Sequence, residues 1–157
     1  MLKQIEEWIR QVNQSHAPQR QSCSRFEEPF SGFYSPGFLN SAYFVVVDQI
    51  PKPDLPGLRA AGLGDFIDMD VAGITYDDTY YVQRSVANEL RLHFHELVHV
   101  VQWRQLQPLG FITRYLDEIQ AHGYNDAPLE KMAYRLDGHY QANGKSFDVE
   151  DYVRTNL

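Results

Sequence analysis

The sequence predicts an α+β domain, with strands in its first half and helices in its second half. Runs of β-branched and aromatic residues lie between positions 41 and 84, and apolar residues recur at helical spacing from position 85 onwards. Because the two kinds of segment follow each other instead of alternating, the α+β class is favoured. The chain has 157 residues, enough for one domain and short for two. We therefore expect a single domain over residues 1–157.

The composition excludes several classes of protein. Hydrophobic residues make up 43% and charged residues 22% of the chain, which is typical of a folded domain with a core. No stretch approaches the ~20 apolar residues that a membrane helix needs, and the N-terminus lacks the apolar run of a signal peptide. The net charge of −7 disfavours a nucleic-acid partner. The single cysteine, Cys23, fits a reducing compartment. We expect a cytoplasmic protein without membrane contact.

The first forty residues predict a short helix followed by an irregular lead-in. A helix over residues 2–12 is predicted by four apolar residues at helical spacing: Leu2, Ile5, Ile9 and Val12. Prolines and glycines are frequent from residue 13 to 40, which favours irregular structure. The lead-in could also be a pro-segment that occludes a cleft, although no cleavage signal marks it.

Strands are predicted between residues 41 and 84. Residues 41–50 form a continuous apolar run that ends at Pro51, as in a buried strand. Alternating apolar and polar residues predict shorter strands at residues 66–67, 73–76 and 80–82.

Four helices are predicted after the strands: residues 85–107, 111–121, 126–143 and 148–155. Ser85 and Asp126 are the expected N-caps of the first and third of these helices. Pro108 ends the first helix, and Gly123 ends the second.

The long predicted helix contains an HExxH motif, in which His95 and His99 enclose Glu96. Residues four apart lie on one helical face, so both imidazoles can bind one tetrahedral zinc ion. Glu96 is turned by about 100° from His95, which places it beside the metal and not on it. A carboxylate in this position can take the proton from a zinc-bound water.

Hydrophobic periodicity gives an independent check on the motif. The predicted buried face consists of Val86, Leu90, Phe94, Leu97, Val98 and Val101. His95 and His99 fall on the opposite side, near Asn88, Gln102 and Leu106. We therefore expect the helix to present both histidines to a groove.

A third zinc ligand must come from elsewhere in the chain. The metzincin pattern would require Gly and His at positions 102 and 105, where this chain has Gln102 and Gln105. Glu130 is the best candidate, because it begins a predicted helix that has its own apolar packing face. Glu118 and His122 are rivals. However, Glu118 is expected to be a solvated helix charge, and His122 is expected to be a helix-end residue that the helix dipole favours.

Two segments of the sequence resemble a known family. The runs HFHELVHVVQW and GYNDAPLEKMAYR are similar to the HELxHxxQ and PxExxAY signatures of small bacterial gluzincin-type proteins, which include the minigluzincins. The resemblance covers about residues 73–140. It implies a zincin fold, with a small sheet packed on the active-site helix and a glutamate helix following. It also implies that His95, His99 and Glu130 bind zinc and that Glu96 is the catalytic base. The NExxSD signature of thermolysin-type enzymes is absent, so no substrate preference transfers.

The leading functional hypothesis is a zinc metallopeptidase acting on a peptide or protein. Tyr134 lies one turn beyond Glu130 and is the expected stabiliser of the oxyanion, with His139 and Tyr124 as alternatives. Residues 73–76 could be an edge strand that aligns an extended peptide.

Two other hypotheses stay open at this point. The chain could be a catalytically inactive zinc-binding module, in which a fourth ligand such as His122 or His139 closes the metal site. The HExxH motif could also be accidental in a structural helical domain.

Overall fold

A computed structural model describes residues 1–157 as eight α-helices around a four-stranded mixed sheet. The elements in chain order are α1 (Leu2–His16), β1 (Gln21–Ser22), α2 (Pro36–Asn40), β2 (Tyr43–Val47), α3 (Pro56–Ala60), α4 (Gly64–Asp68), β3 (Gly73–Tyr76), β4 (Thr79–Gln83), α5 (Leu90–Leu106), α6 (Pro108–His122), α7 (Pro128–Gln141) and α8 (Val149–Asn156). The predicted α+β class is confirmed. None of these helices combines the length and the apolar character needed to cross a bilayer.

The sheet has the strand order β1-β2-β4-β3, with β2 and β4 parallel and the two outer pairs antiparallel. The β3–β4 hairpin turns at Asp77 and Asp78, and Asp77 has a φ of 62°. Aspartate tolerates this left-handed conformation better than most residues. Strand β3 is an edge strand, and no backbone group of β3 bonds to a backbone outside the hairpin. The outer edge of β3 thus lacks a backbone partner, although all four of its residues are buried.

Helix α5 lies at the centre of the molecule, between α7 and α8 and the β3–β4 hairpin. Every residue from 93 to 103 is buried, so this helix is covered on all sides and not on one face alone. The buried apolar residues that we predicted include Phe94, Leu97, Val98 and Val101. Val86 is only half-buried and Leu90 is 38% exposed, because both lie at or before the helix start.

The start of α5 differs from the prediction. The helix begins at Leu90 and not at Ser85, because residues Arg84–Val86 form a separate 3-10 turn. The carbonyl of Ala87 accepts a hydrogen bond from Nε2 of His93 at 2.7 Å. The ring of His93 thus satisfies one carbonyl of the segment that precedes α5.

Residues 66–67 form part of helix α4 and not the strand that alternation predicted. Both side chains are buried in the same cluster, whereas neighbouring residues of a strand point to opposite faces. The ammonium group of Lys52 donates hydrogen bonds to the carbonyls of Phe66 and Met69, at 2.7 and 2.8 Å. It thereby satisfies carbonyl groups at the C-terminal end of this short helix.

The predicted lead-in is more ordered than its composition suggests. Helix α1 continues to His16, and residues 17–40 contain β1, α2 and two 3-10 turns. Phe26, Phe30 and Phe33 are buried in the same cluster as Phe94 of α5. The division into a lead-in, strands and helices is therefore approximate, since β1 lies in the first segment and α3 and α4 lie in the second.

Candidate metal centre

Three side chains that the sequence separates by up to 35 residues meet beside α5. The Nε2 atoms of His95 and His99 are 3.2 Å apart. Oε1 of Glu130 lies 3.1 Å from each of these nitrogen atoms. All three residues are buried, and they form the one group of three or more potential metal ligands in the chain.

These separations fit the ligand set of a zinc ion. Ligand atoms about 2.0–2.1 Å from a tetrahedral zinc ion are about 3.3 Å from one another. The three measured separations of 3.1, 3.1 and 3.2 Å correspond to one face of such a tetrahedron. Two histidines and one glutamate could thus hold a metal ion and leave one coordination position to water or substrate.

Local structure explains why the ligands converge. His95 and His99 are one turn apart on α5, so their imidazole rings lie on the same face. Glu130 is the third residue of α7, which packs more extensively on α5 than any other element does. The apolar contact face of α7 includes Leu129, Met132, Ala133 and Leu136. This packing holds Glu130 beneath the histidines.

Asp137 fixes the orientation of His95. Nδ1 of His95 donates a hydrogen bond to Oδ2 of Asp137 at 2.8 Å, so Nε2 is the nitrogen that faces His99 and Glu130. The other carboxylate oxygen of Asp137 accepts from Nε of Arg91 at 2.6 Å. Asp137 lies seven residues after Glu130, two turns along the same face of α7.

Gln102 has the same role for His99. Nδ1 of His99 donates to Oε1 of Gln102 at 2.7 Å, while the Gln102 amide nitrogen donates to the carbonyl of Leu129 at 3.1 Å. Gln102 therefore links one ligand helix to the start of the other. Both histidines present Nε2 to the common point.

Tyr115 of α6 orients the third ligand. Its hydroxyl donates to Oε2 of Glu130 at 2.7 Å, so Oε1 alone faces the histidines. Burial raises the pKa of Tyr115 well above 10, and the negative charge of Glu130 raises it further. The phenol therefore keeps its proton and remains a hydrogen-bond donor.

Glu96 lies beside the three ligands and is not one of them. Its Oε2 is 3.9 Å from Nε2 of His95, and its Oε1 accepts a hydrogen bond from the Thr75 hydroxyl at 2.9 Å. A Cβ atom placed on Gly73 would be only 3.2 Å from this carboxylate, so a glycine there lets β3 approach closely. Burial raises the pKa of Glu96, although both histidines oppose that shift. A carboxylate with a raised pKa can accept and return a proton.

Without a metal ion, the ligand residues shift one another's pKa values strongly. Burial lowers the pKa of His95, but hydrogen bonds to Asp137 and Glu130 outweigh it and raise the value to about 10. Burial raises the pKa of Glu130, but His99 and His95 hold it well below its ordinary range. These two directions favour a protonated His95 beside an ionised Glu130 in the metal-free chain, so metal binding must release a proton.

Two spaces adjoin the ligands on different sides. An open cleft runs between the start of α5, the start of β3 and α7, and it contains His95, Glu96 and Tyr134. A more enclosed and mostly apolar cavity lies between α1, α6 and β3, and it contains Glu96, His99 and Glu130. Glu96, Gly73 and Tyr124 line both spaces.

The predicted oxyanion stabilisers have different positions. Tyr134 is 43% exposed in the cleft, and its ring centroid is 4.5 Å from that of His95. Tyr124 lies where the cleft and the cavity meet. Burial and the charges of Glu130 and Glu96 raise the pKa of both tyrosines, which therefore remain donors at neutral pH. His139 is exposed and hydrogen-bonded to the carbonyl of Lys145, away from the cleft.

Glu118 and His122, the rival ligands, lie outside the cluster. The expectation that Glu118 is solvated is wrong, because it is only 9% exposed. Its Oε1 accepts from the backbone N–H of Leu129 at 2.8 Å, and its Oε2 accepts from Arg114. Glu118 thus caps α7 from a neighbouring helix, in the role that we had predicted for Asp126. His122 is exposed.

Sequence reasoning missed the residues that orient the ligands, above all Asp137 and Tyr115. A carboxylate two turns after Glu130 was a usable signal for Asp137, because residues i and i+7 share a helical face. No comparable signal exists for Tyr115 or Thr75, since both reach the site from separate elements.

Comparison with known proteins adds no relative to these observations. No protein-family model, curated protein or solved structure matches the chain. The class of site is therefore defined by its geometry, as a buried two-histidine, one-carboxylate cluster that could hold a metal ion.

Proposed function

We propose that this protein is a zinc-dependent metallopeptidase of the gluzincin type that hydrolyses a peptide or protein substrate. The carrying observation is the convergence of His95, His99 and Glu130, with the Glu96 carboxylate beside them. In an HExxH site, the two histidines and a distant carboxylate hold zinc while the intervening glutamate is free for proton transfer.

The proposed chemistry divides between the metal and the chain. A bound zinc ion would supply Lewis acidity and lower the pKa of water towards 7. The role of Glu96 is to take a proton from the attacking water through Oε2 and to deliver it to the leaving amine. Thr75 holds the other carboxylate oxygen, so the orientation of Glu96 is set before substrate binds. Tyr134 or Tyr124 donates a hydrogen bond to the carbonyl oxygen as negative charge develops on it.

The backbone edge of β3, which has no strand partner, supports a peptide as substrate. An extended peptide can add to a free strand edge through backbone hydrogen bonds, independently of its side chains. Gly73 at the start of this strand contacts Glu96 closely, so a peptide paired with β3 would pass beside the proton-transfer group.

The alternative of an inactive zinc module has less support. A structural zinc site is closed by four protein ligands. Here His122 is exposed and His139 is bonded to a carbonyl, so neither closes the cluster. The ligand set leaves a coordination position free, as catalytic sites do.

Metal analysis and one glutamate variant test the proposed function. We expect one zinc ion per chain after dialysis against metal-free buffer, and zinc-dependent cleavage of fluorescein-labelled casein. Glu96→Gln should keep the zinc but lower cleavage by ~10²–10⁴-fold, because a general base contributes that much. Glu27→Gln is the matched control, since the side chain of Glu27 is exposed and makes no hydrogen bond. A zinc-loaded chain that cleaves neither casein nor a random peptide library would contradict the peptidase function.

A further inference from the structure

The apolar cavity beside the ligands has a wall that nothing in the proposed chemistry uses. Ile5 and Ile9 of α1 form one side, and Phe111 and Ile112 of α6 form another. The far end reaches His99, Glu130 and Glu96. Apart from that end, the lining is almost entirely apolar. A charged group placed there would lose its hydration without gaining a partner, so any occupant must be uncharged.

The cavity is too small to accept a side chain as it stands. Its volume is about 60 Å³, which holds a few water molecules. An engineered apolar cavity that binds benzene is about 150 Å³. One wall must therefore move before a leucine-sized or phenyl-sized group can enter.

One polar atom in the cavity wall lacks a partner. Trp103 lines the cavity and is 2% exposed, and its indole Nε1 is the one buried side-chain nitrogen or oxygen in the chain without a hydrogen bond. Orphaned buried donors are rare and costly. An occupant with a hydrogen-bond acceptor would relieve this one.

Helix α1 forms one wall of the cavity and is attached to the sheet through few polar contacts. Its residues 2–12 make no hydrogen bond or ion pair with any residue beyond α1. Asn13 alone bonds α1 to the sheet, through the carbonyl of Tyr76 and the hydroxyl of Tyr81, at 2.9 and 2.7 Å. The helix is thus anchored near its C-terminal end, whereas the half that covers the cavity is held by packing, through Ile5, Ile9 and the edge-to-face contact of Trp8 with Tyr76. Segments with few buried contacts open at low free energy.

We propose that α1 is a hinged cover and that the cavity beneath it receives an apolar side chain of the peptide substrate. The hinge lies at Asn13, and the substrate side chain takes the space vacated by Ile5 and Ile9. The identity of the occupant rests on the proposed peptidase function, whereas the movement of α1 does not.

The movement is tested without any activity measurement. In the full chain with Trp8→Phe, Trp103 is the only tryptophan and reports on the cavity. Ile5→Ala with Ile9→Ala should weaken the cover, while Gln4→Ala with Gln11→Ala changes exposed residues of the same helix. We expect the isoleucine variant to bind N-acetyl-leucinamide about tenfold more tightly, because the open state is more populated. Acrylamide quenching of Trp103 should rise in parallel.

The parent chain provides a second measurement that does not depend on a variant's folding. Amide hydrogens of residues 2–10 should exchange faster than those of α5, and faster again when N-acetyl-leucinamide is bound. Equal quenching and equal affinity in parent, isoleucine and glutamine variants, with α1 as protected as α5, would overturn the cover.

Substrate selection separates this inference from the proposed function. N-acetyl-aspartamide should not bind. The zinc-loaded chain should cleave peptides with leucine beside the scissile bond faster than peptides with aspartate there. This ratio of rates should be larger in the isoleucine variant. Binding of N-acetyl-leucinamide without any peptide cleavage would contradict the peptidase function and the substrate side chain as occupant, but it would still support α1 as a cover. Equal rates of cleavage for leucine and aspartate peptides would contradict the apolar side chain as occupant of the cavity, but they would still support the peptidase function.

Discussion

Three histidines lie on one buried stretch of α5, and they differ in what their ring nitrogens contact. His93 uses both nitrogens within the protein: Nδ1 accepts from the Tyr80 hydroxyl and Nε2 donates to the Ala87 carbonyl, each at 2.7 Å. Burial lowers the pKa of His93, so it stays neutral as part of the core. His95 and His99 each use only Nδ1 in this way, and their Nε2 atoms share Oε1 of Glu130.

Burial therefore does not separate a candidate metal ligand from a core histidine, since all three histidines are at most 5% exposed. The distinguishing feature is the second ring nitrogen. In His95 and His99, Nε2 contacts only the group formed by these two histidines and Glu130. His93 serves as an internal reference on the same helix, and the following predictions use it.

The largest expected effect is the loss of zinc on removal of a ligand. Glu130→Ala and His99→Ala should lower zinc affinity by several orders of magnitude, because each removes one of three protein ligands. His93→Gln should leave zinc affinity unchanged but lower the free energy of unfolding by about 1–3 kcal/mol, since Tyr80 and Ala87 lose a well-placed partner. Zinc titration against a chelator and urea unfolding measure the two effects. Zinc loss in His93→Gln would show that the comparison between the histidines is mistaken.

A smaller effect is expected from the residues that orient the ligands. Asp137→Ala and Gln102→Ala should each reduce zinc affinity about 10–100-fold, the usual effect of removing the partner of a ligating imidazole. Asp137→Asn should recover part of the loss, because its amide oxygen can still accept from Nδ1 of His95. The exposed Asp151→Asn is the control. Unchanged affinity in both alanine variants would mean that packing alone orients the imidazoles.

Glu118 should affect the metal only through α7. Glu118→Ala should cost about 0.5–2 kcal/mol of stability, as the loss of a helix cap does, and reduce zinc affinity only a few-fold. Glu118→Gln keeps an acceptor for the Leu129 N–H and should restore both quantities. His122→Ala should change neither, since His122 is exposed. A loss of zinc in Glu118→Ala as large as in Glu130→Ala would instead make Glu118 a ligand.

The smallest effect concerns the core side of the comparison. Cys23 donates to the Tyr80 hydroxyl, which in turn contacts His93. Burial raises the pKa of Cys23 from 9.0 to about 12, so the thiol should not react with a disulfide reagent at pH 8 in the folded chain. The pKa of Cys23 is higher in the folded chain than in the unfolded chain. The contribution of the Cys23 thiol to stability is therefore present below pH 9 and is lost as the pH rises towards 12. Rapid labelling of native chain at pH 8 would contradict this description of the core.

Local patterns in the sequence were sufficient for several parts of the site. The spacing of the HExxH motif places two imidazoles on one face, since that depends only on the pitch of a helix. The strand at residues 73–76 and the helix that begins at Pro128 also agree with prediction, because turn residues and proline mark their ends. Glu130 was the preferred third ligand for a local reason, the apolar face of its own helix.

Only the tertiary structure decided what surrounds these ligands. The parallel pairing of β2 with β4, the partners Tyr115 and Asp137, and the capping of α7 by Glu118 join residues 11 to 46 positions apart. Such contacts depend on how the elements pack, and no periodicity within one segment encodes them. The same reason explains the failed expectation of a solvated Glu118. A helix pattern shows which residues share a face, whereas the neighbouring helices determine whether that face lies in water or in the core.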